Sequence, residues 1–293
     1  MKTPPRYHRP DDLAGAVEAL SSAERTAALA GGTDLMNNLR SGRDEPELVV
    51  DIAGLPELRA FSVGDRTVLG AGTKMASLLR SPDVRRLHPA LAEAAALLGG
   101  RQMQAVATLG GNLCNASPAA ETATPLLVHD TEVVIAGPAG RRTVPLTGFW
   151  RGPRTSCLDH GELVVELRIP GGRAGASSAY RRLELRRSVD IAVVSASARL
   201  VQTGGTITEA RVAIGAAAPV PMRVPGAEAA LAGCEIADDT RLYEAVTAAA
   251  EACRAAAEPI DDTRASARYR TSMVEVIARR CIEAALAGPA PRA

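Results

Sequence analysis

The chain has 293 residues, 46% of them hydrophobic, enough for one large domain or two medium ones with a substantial core. Lys and Arg number 34 against 33 Asp and Glu, and aromatics make up 2%, which argues against a nucleic-acid or membrane-surface binder and leaves few platforms for stacking bases. No apolar run reaches membrane-spanning length, and the N-terminal MKTPPRYHRPDD has no apolar signal core, so a soluble cytoplasmic protein is expected.

Asp11-Asp12 can cap a short helix carrying Leu13, Val17 and Leu20. TAALA at 26–30 then reads as a buried strand running into Gly31-Gly32, and ELVVDIA at 47–53 and RTVLGAG at 66–72 as further strands. LAEAAALLGG at 91–100 is a helix that ends on glycine. A second Gly-Gly turn follows in TLGGNLCNAS at 108–117, and Pro118 can open another helix. TEVVIAG at 131–137 and GELVVELRIP at 161–170 are strands, the latter stopped by Pro170. GGRAGASS at 171–178 is a plausible domain boundary. Beyond it, residues 191–201 and 206–216 alternate around Gln202-Thr203-Gly204-Gly205, a hairpin signal. Helices follow at about 225–232, 239–257 and 263–286, the last with Met273, Val274, Ile277, Ala278 and Cys281 on one stripe.

The five cysteines (Cys114, Cys157, Cys234, Cys253, Cys281) are odd in number, widely spaced and without a C-x-x-C pair. Neither a zinc site nor an iron–sulfur cluster is written here, and reduced, mostly buried thiols are expected. His8, His88, His129 and His160 show no ligand spacing, so no metal site is expected.

The two glycine pairs carry the chemistry. Gly-Gly lets a backbone reach positive φ and lets ligand atoms approach main-chain N–H groups, which together can form an anion nest. Neither turn contains Lys or Arg, and Thr33, Thr108 and Asn112 can add donors. Two such loops facing one diphosphate would explain the duplication; ordinary turns would also explain each alone. Neither loop is G-x-G-x-x-G, and no G-x-x-x-x-G-K-[ST] occurs, so a dinucleotide site here would be neither Rossmann nor P-loop.

Taken in order, AGGTDLM (30–36), DIAGLPELR (51–59), LGAGTKMASLL (69–79), TLGGNLCNASPAAETATPLL (108–127), GELVVELRIP (161–170), YRRLELRRSVDIAVVSASARL (180–200) and RVAIGAAAPVPMR (211–223) resemble the FAD-binding medium subunit of the molybdenum hydroxylases. That family includes the carbon monoxide dehydrogenase medium subunit and the flavin domain of xanthine dehydrogenase. The resemblance implies an α+β fold. A two-subdomain α/β FAD-binding domain of the PCMH/vanillyl-alcohol-oxidase-like kind would span residues 1–172. A small antiparallel sheet packed with helices would span 173–293, with FAD extended between the parts. It implies that Leu29, Ala30, Gly31, Gly32, Thr33, Asp34, Leu35 and Met36 form one diphosphate loop. Thr108, Leu109, Gly110, Gly111 and Asn112 would form the other. Glu121 stands where the family has Asp, Ile169 where it has an apolar flavin neighbour, and Arg182 where it often has Lys near the isoalloxazine. Asp190 lies near the ring in sequence terms.

Other readings of these side chains stay open. Glu121 can favour a helix dipole. Ile169 can be a core strand residue. Arg182 can belong to a solvated or subunit-facing edge with Arg181, Arg186 and Arg187. Two departures from the family pattern stand out: Met103, Gln104 and Ala105 replace Ile-Arg-Asn before the second turn, and Arg182 replaces Lys.

The resemblance further implies an oxidoreductase whose chemistry lies in FAD, with no catalytic side chain. Molybdopterin would sit in a large subunit and two [2Fe–2S] clusters in a small one, both partners of this chain. NAD⁺, a quinone or O₂ would be the final acceptor. The absence of His from both turns points to non-covalent FAD. A stand-alone flavoprotein oxidase and a flavin-free scaffold protein on the same fold are the alternatives.

Overall fold

A computed structural model describes residues 4–171, 174–186 and 189–288. The chain begins β1 (Arg6–His8), α1 (Leu13–Ser21), β2 (Thr26–Leu29), α2 (Leu35–Ser41), β3 (Leu48–Asp51). The three strands form a parallel sheet in the order β1-β3-β2. Asp12 caps α1 as expected, its carboxylate accepting from the Gly15 N–H at 2.8 Å. Leu13, Ala16, Ala19 and Leu20 then bury one face of the helix.

β4 (Phe61–Ser62) and β5 (Thr67–Gly70) lead into a run of short helices. These are α3 (Met75–Arg80), α4 (Pro82–Leu87), α5 (Pro89–Leu97), α6 (Arg101–Val106), α7 (Leu109–Cys114) and α8 (Ala123–Val128). Next come β6 (Glu132–Gly137), β7 (Gly140–Pro145), a small pair β8 (Trp150–Gly152) and β9 (Thr155–Ser156), and β10 (Leu163–Ile169). An antiparallel sheet results, ordered β4-β5-β10-β6-β7. Its central strand β10 is apolar and buried over Leu163–Val165, then alternates, with Leu167 and Ile169 buried and Glu166 and Arg168 half-buried on the other face. The helix expected from Pro118 starts later, at Ala123. Asn112 Oδ1 takes both the N–H and the hydroxyl of Thr122, at 3.2 and 2.6 Å, and holds the preceding residues in turns.

The rest is β11 (Ala176–Leu183), β12 (Val194–Thr203), β13 (Thr206–Gly215) and β14 (Met222–Arg223), a four-stranded antiparallel sheet in that order. Helices α9 (Pro225–Leu231), α10 (Asp239–Ala255) and α11 (Ala267–Ala287) follow it. The hairpin turn is the two residues Gly204-Gly205, at φ 59° and 80°, so Gln202 and Thr203 stay in the strand. Val194, Ala196, Ala198 and Leu200 face the helices, joined by Val274, Ile277, Ala278 and Cys281 of the predicted stripe. The other face of β12 is also covered. Ser195, Ser197 and Arg199 are buried, and Ser197 Oγ bonds Thr124 Oγ1 of α8 at 2.9 Å.

A separate apolar core lies on each side of this contact, one around β5, β6 and β10 and one around β12, β13 and α11. Gly172 and Arg173, where the sequence places the domain boundary, lie outside the described residues. Among the described residues no helix is long and apolar enough to cross a membrane, and no cluster of metal-ligating side chains occurs.

Candidate functional site

The ends of β2 and β3 and the junction of β5 with β10 line a cleft of about 120 Å³ that is partly open to solvent. Small residues line one part of it: Ala28 and Ala30 on the β2 side, Ala71 and Gly72 after β5, and Gly110 and Gly111 on α7; Ile52, Leu58, Leu158 and the Glu162 carboxylate line the rest. Leu163 and Val164 of β10 close it. β2 is an edge strand with Ala28 exposed, so its backbone is open to a ligand.

The first glycine turn behaves as the sequence suggests. The chain leaves β2, turns at Gly32 with φ 71°, and enters α2. Gly31 presses against the α6–α7 connection: a Cβ there would lie 2.2 Å from the Val106 carbonyl oxygen. The backbone N–H groups of Gly31, Gly32, Thr33 and Asp34 have no protein acceptor among the described residues. Four successive free donors follow directly on Ala30, which lines the cleft, and a row of such donors calls for a ligand or water.

The second pair is different. Gly110 and Gly111 lie in the first turn of α7, neither with positive φ. Their N–H groups are already engaged: Leu109 N donates to Thr73 O at 2.9 Å, Gly110 N to Ala71 O at 2.8 Å and Gly111 N to Thr108 Oγ1 at 3.1 Å. Asn112 N donates to Thr108 O at 3.0 Å. Gly110 is required for packing, since a Cβ would sit 2.7 Å from Ala71 Cβ. Gly111 is exposed, and a Cβ there would meet only Thr108 Oγ1. Two similar sequences therefore do two jobs. One offers amides; the other offers a bare surface and the Thr108 hydroxyl proton.

Asn112, Glu121 and Arg182 are joined beyond α7. Asn112 Nδ2 lies 3.4 Å from Glu121 Oε2, and Arg182 Nη1 lies 3.4 Å from Glu121 Oε1. Arg182 also pairs with Glu184, its Nε at 2.9 Å and its Nη2 closer still. Its side chain is 2% exposed, so it is a buried cation between two carboxylates and not part of a solvated edge. Burial pushes the Glu121 carboxyl above its usual range; Arg182 and Asn112 oppose that, while Asp34 of the first turn adds to it. Burial likewise raises Asp34, against the pull of Arg154.

The remaining sequence candidates separate. Leu29 and Leu35 are half-buried beside the first turn, and Met36 is 40% exposed. Leu109 is fully buried beneath α7. Ile169 is fully buried opposite Thr67, at the far end of β10, about 20 Å of strand from Leu163. The structure does not bring it to the cleft; Leu163 and Val164 are the β10 residues there. Asp190 accepts the N–H groups of Leu185, Arg186 and Ile191 and fixes the β11–β12 loop. Arg187 lies outside the described residues. Gln104 is buried and donates to Ala96 O at 3.0 Å, holding α6 against α5. Cys114 lines the cleft, but burial, with Cys157 adding, pushes its thiol up to about 12, so it is no nucleophile. Lys74 also lines the cleft, a cation that neither glycine motif contains.

Amides without acceptors, a wall of Ala71, Gly72 and Gly110, and an exposed Gly111 fit the diphosphate-bearing cofactor that the sequence pattern implies. Residues 3–172 match the FAD binding domain in molybdopterin dehydrogenase, and residues 178–285 the CO dehydrogenase flavoprotein C-terminal domain. This class of flavoprotein is joined by close relatives. The carbon monoxide dehydrogenase medium chain of Hydrogenophaga pseudoflava is 34% identical over 97% of this chain and 98% of its own. The xanthine dehydrogenase FAD-binding subunit of Escherichia coli is 32% identical over 96% of each. A solved carbon monoxide dehydrogenase from Hydrogenophaga pseudoflava superposes with a TM-score of 0.92 at 34% identity, covering 98% of this chain and 99% of that one. The chain belongs to the family of FAD-binding medium subunits of the molybdenum hydroxylases.

Proposed function

We propose that this chain holds FAD as an electron relay between a [2Fe–2S] small subunit, fed by a molybdopterin-binding large subunit, and an external acceptor. The observation that carries the reading is the row of free N–H groups from Gly31 to Asp34, next to a cleft lined in part by Ala28, Ala30, Ala71, Gly72, Gly110 and Gly111. These N–H groups would take the diphosphate oxygens, and the Thr108 hydroxyl would donate to the same group. Gly111 keeps the approach open. Asn112, Glu121 and Arg182, locked to one another, would flank the flavin side. When bound, FAD supplies the electron chemistry. The side chains around the cleft bind and orient, and none is needed as a general acid or base. The domain division near residues 172–173 is part of this reading, supported by the two separate cores.

Co-expression with the large and cluster subunits tests it. The expected product is one complex containing molybdenum, iron and about one FAD per medium chain. Acid precipitation should release the FAD. An organic substrate should bleach the flavin of the complex and leave that of the isolated subunit unchanged. A lone subunit, loaded with flavin and reduced directly by a small molecule, would overturn the relay reading.

A further inference from the structure

The chain is almost without lysine. Of its 34 basic residues only Lys2 and Lys74 are lysines; all the others are arginine. Lys74 stands between the two glycine elements. Its backbone bridges to Thr108, the cap of α7, and its neighbours are tied to the same segment: Met75 N donates to Ala107 O at 3.1 Å and Leu109 N to Thr73 O at 2.9 Å. Its side chain runs the other way. Nζ donates to Val106 O at 3.0 Å, the same carbonyl oxygen against which Gly31 is pressed. The ammonium is thereby placed beside the first turn while its backbone belongs to the second.

No carboxylate pairs with it among the described residues; Glu162, which also lines the cleft, is held by Arg142. An ammonium has three N–H donors, and one acceptor is supplied. Burial lowers its pKa, and Arg59 lowers it further, as expected of a cation kept partly from water without a counter-ion. Arginine would not serve here. A flat guanidinium needs more room than the tight contact of Gly31 with the Val106 carbonyl leaves, whereas an ammonium is a compact point charge.

We propose that Lys74 is the cationic partner of the cofactor diphosphate, its ammonium bridging the Val106 carbonyl and a phosphate oxygen so that the free amides of the first turn and the face of α7 close on one anion. This rests on the FAD reading above. It adds a fixed charge to a site whose glycine motifs supply only dipoles, and it makes FAD affinity salt-sensitive.

The test uses the full-length apo chain. Wild type, Lys74→Met and Lys74→Gln are titrated with FAD by fluorescence quenching at several salt concentrations, with circular dichroism as the check on folding. Both variants should bind FAD about 10- to 100-fold more weakly, the loss of one charge-assisted hydrogen bond. Their affinities should also depend less on salt than that of wild type, and the bound diphosphate ³¹P resonances should shift. Weaker binding with an unchanged salt dependence and unchanged ³¹P shifts would show that Lys74 only braces the loops and would overturn the proposal. So would wild-type affinity in the variants. Failure of the wild-type chain to bind FAD at all would instead overturn the cofactor reading.

Discussion

Replacing Gly31 by alanine sets a methyl carbon 2.2 Å from the Val106 carbonyl oxygen and 2.9 Å from its carbon. Both atoms are backbone, so neither can rotate away. Contacts of this kind are essentially never closer than 3.0 Å, so the first turn and the α6–α7 connection must move apart by most of an ångström. That movement also strains the Lys74 Nζ bond to the same oxygen. Overpacking of this severity costs about 2 to 3 kcal/mol. For a chain of this size the apo protein should melt roughly 4–6 °C lower. Thermal unfolding of the apo protein separates this from any loss of bound FAD. Gly64→Ala is the control, since nothing lies within 4 Å of a Cβ there. Gly111→Ala is the contrast: its methyl meets only the rotatable Thr108 hydroxyl and points into the cleft, so FAD affinity should suffer more than the fold. If Gly31→Ala melts with wild type, the two elements are not in fixed contact and the geometry of the first turn argued above is wrong.

Arg182→Met should destabilise the chain by about 3 kcal/mol, because it leaves Glu121 and Glu184 without their buried cation. The cost should shrink between pH 8 and pH 5. The Glu121 carboxyl is already raised by burial and rises further without Arg182, so the folded variant holds a proton that the unfolded chain releases, and stability returns as pH falls. Urea titration at the two pH values measures both effects, and a pH-independent loss would contradict the assignment. His88 predicts the opposite slope. It lies edge-on to His129 with ring centroids 4.8 Å apart, and burial, with Arg199 adding, lowers its pKa from 6.5 to about 4. The unfolded chain binds the proton first, so stability is complete above about pH 6.5 and is lost as pH falls toward 4, by an amount on the order of 3 kcal/mol. His88→Gln should make that part of the stability curve against pH shallower, with buried His129, also lowered, supplying the slope that remains.

The succession of strands and helices was legible in the sequence because the signals are local. Asp12 before Leu13, Gly204-Gly205 between two alternating runs, and the stripe on α11 each specify their own segment by capping, turn geometry or periodicity. Seven ordered motifs likewise pointed to an FAD subunit through their resemblance to a known family, and the two glycine pairs among them are the trace that close backbone approach to a ligand leaves. The same glycines could not say how they would be used. TLGGN and AGGTD read alike, yet one became the capped first turn of a helix with its amides engaged by Thr73, Ala71 and Thr108, and the other became an open turn with free amides. Which amides are free depends on carbonyls supplied from residues 71–73, more than thirty positions away from α7. Ile169 and Val164 differ by five residues in one strand, and only the crossing of β10 past β5 decides which of them meets the cleft. Lys74 gave no local signal at all. Its position beside Gly31 comes from backbone pairing with Thr108, and its isolation from carboxylates is a property of the packed structure, where burial decides which charges find partners.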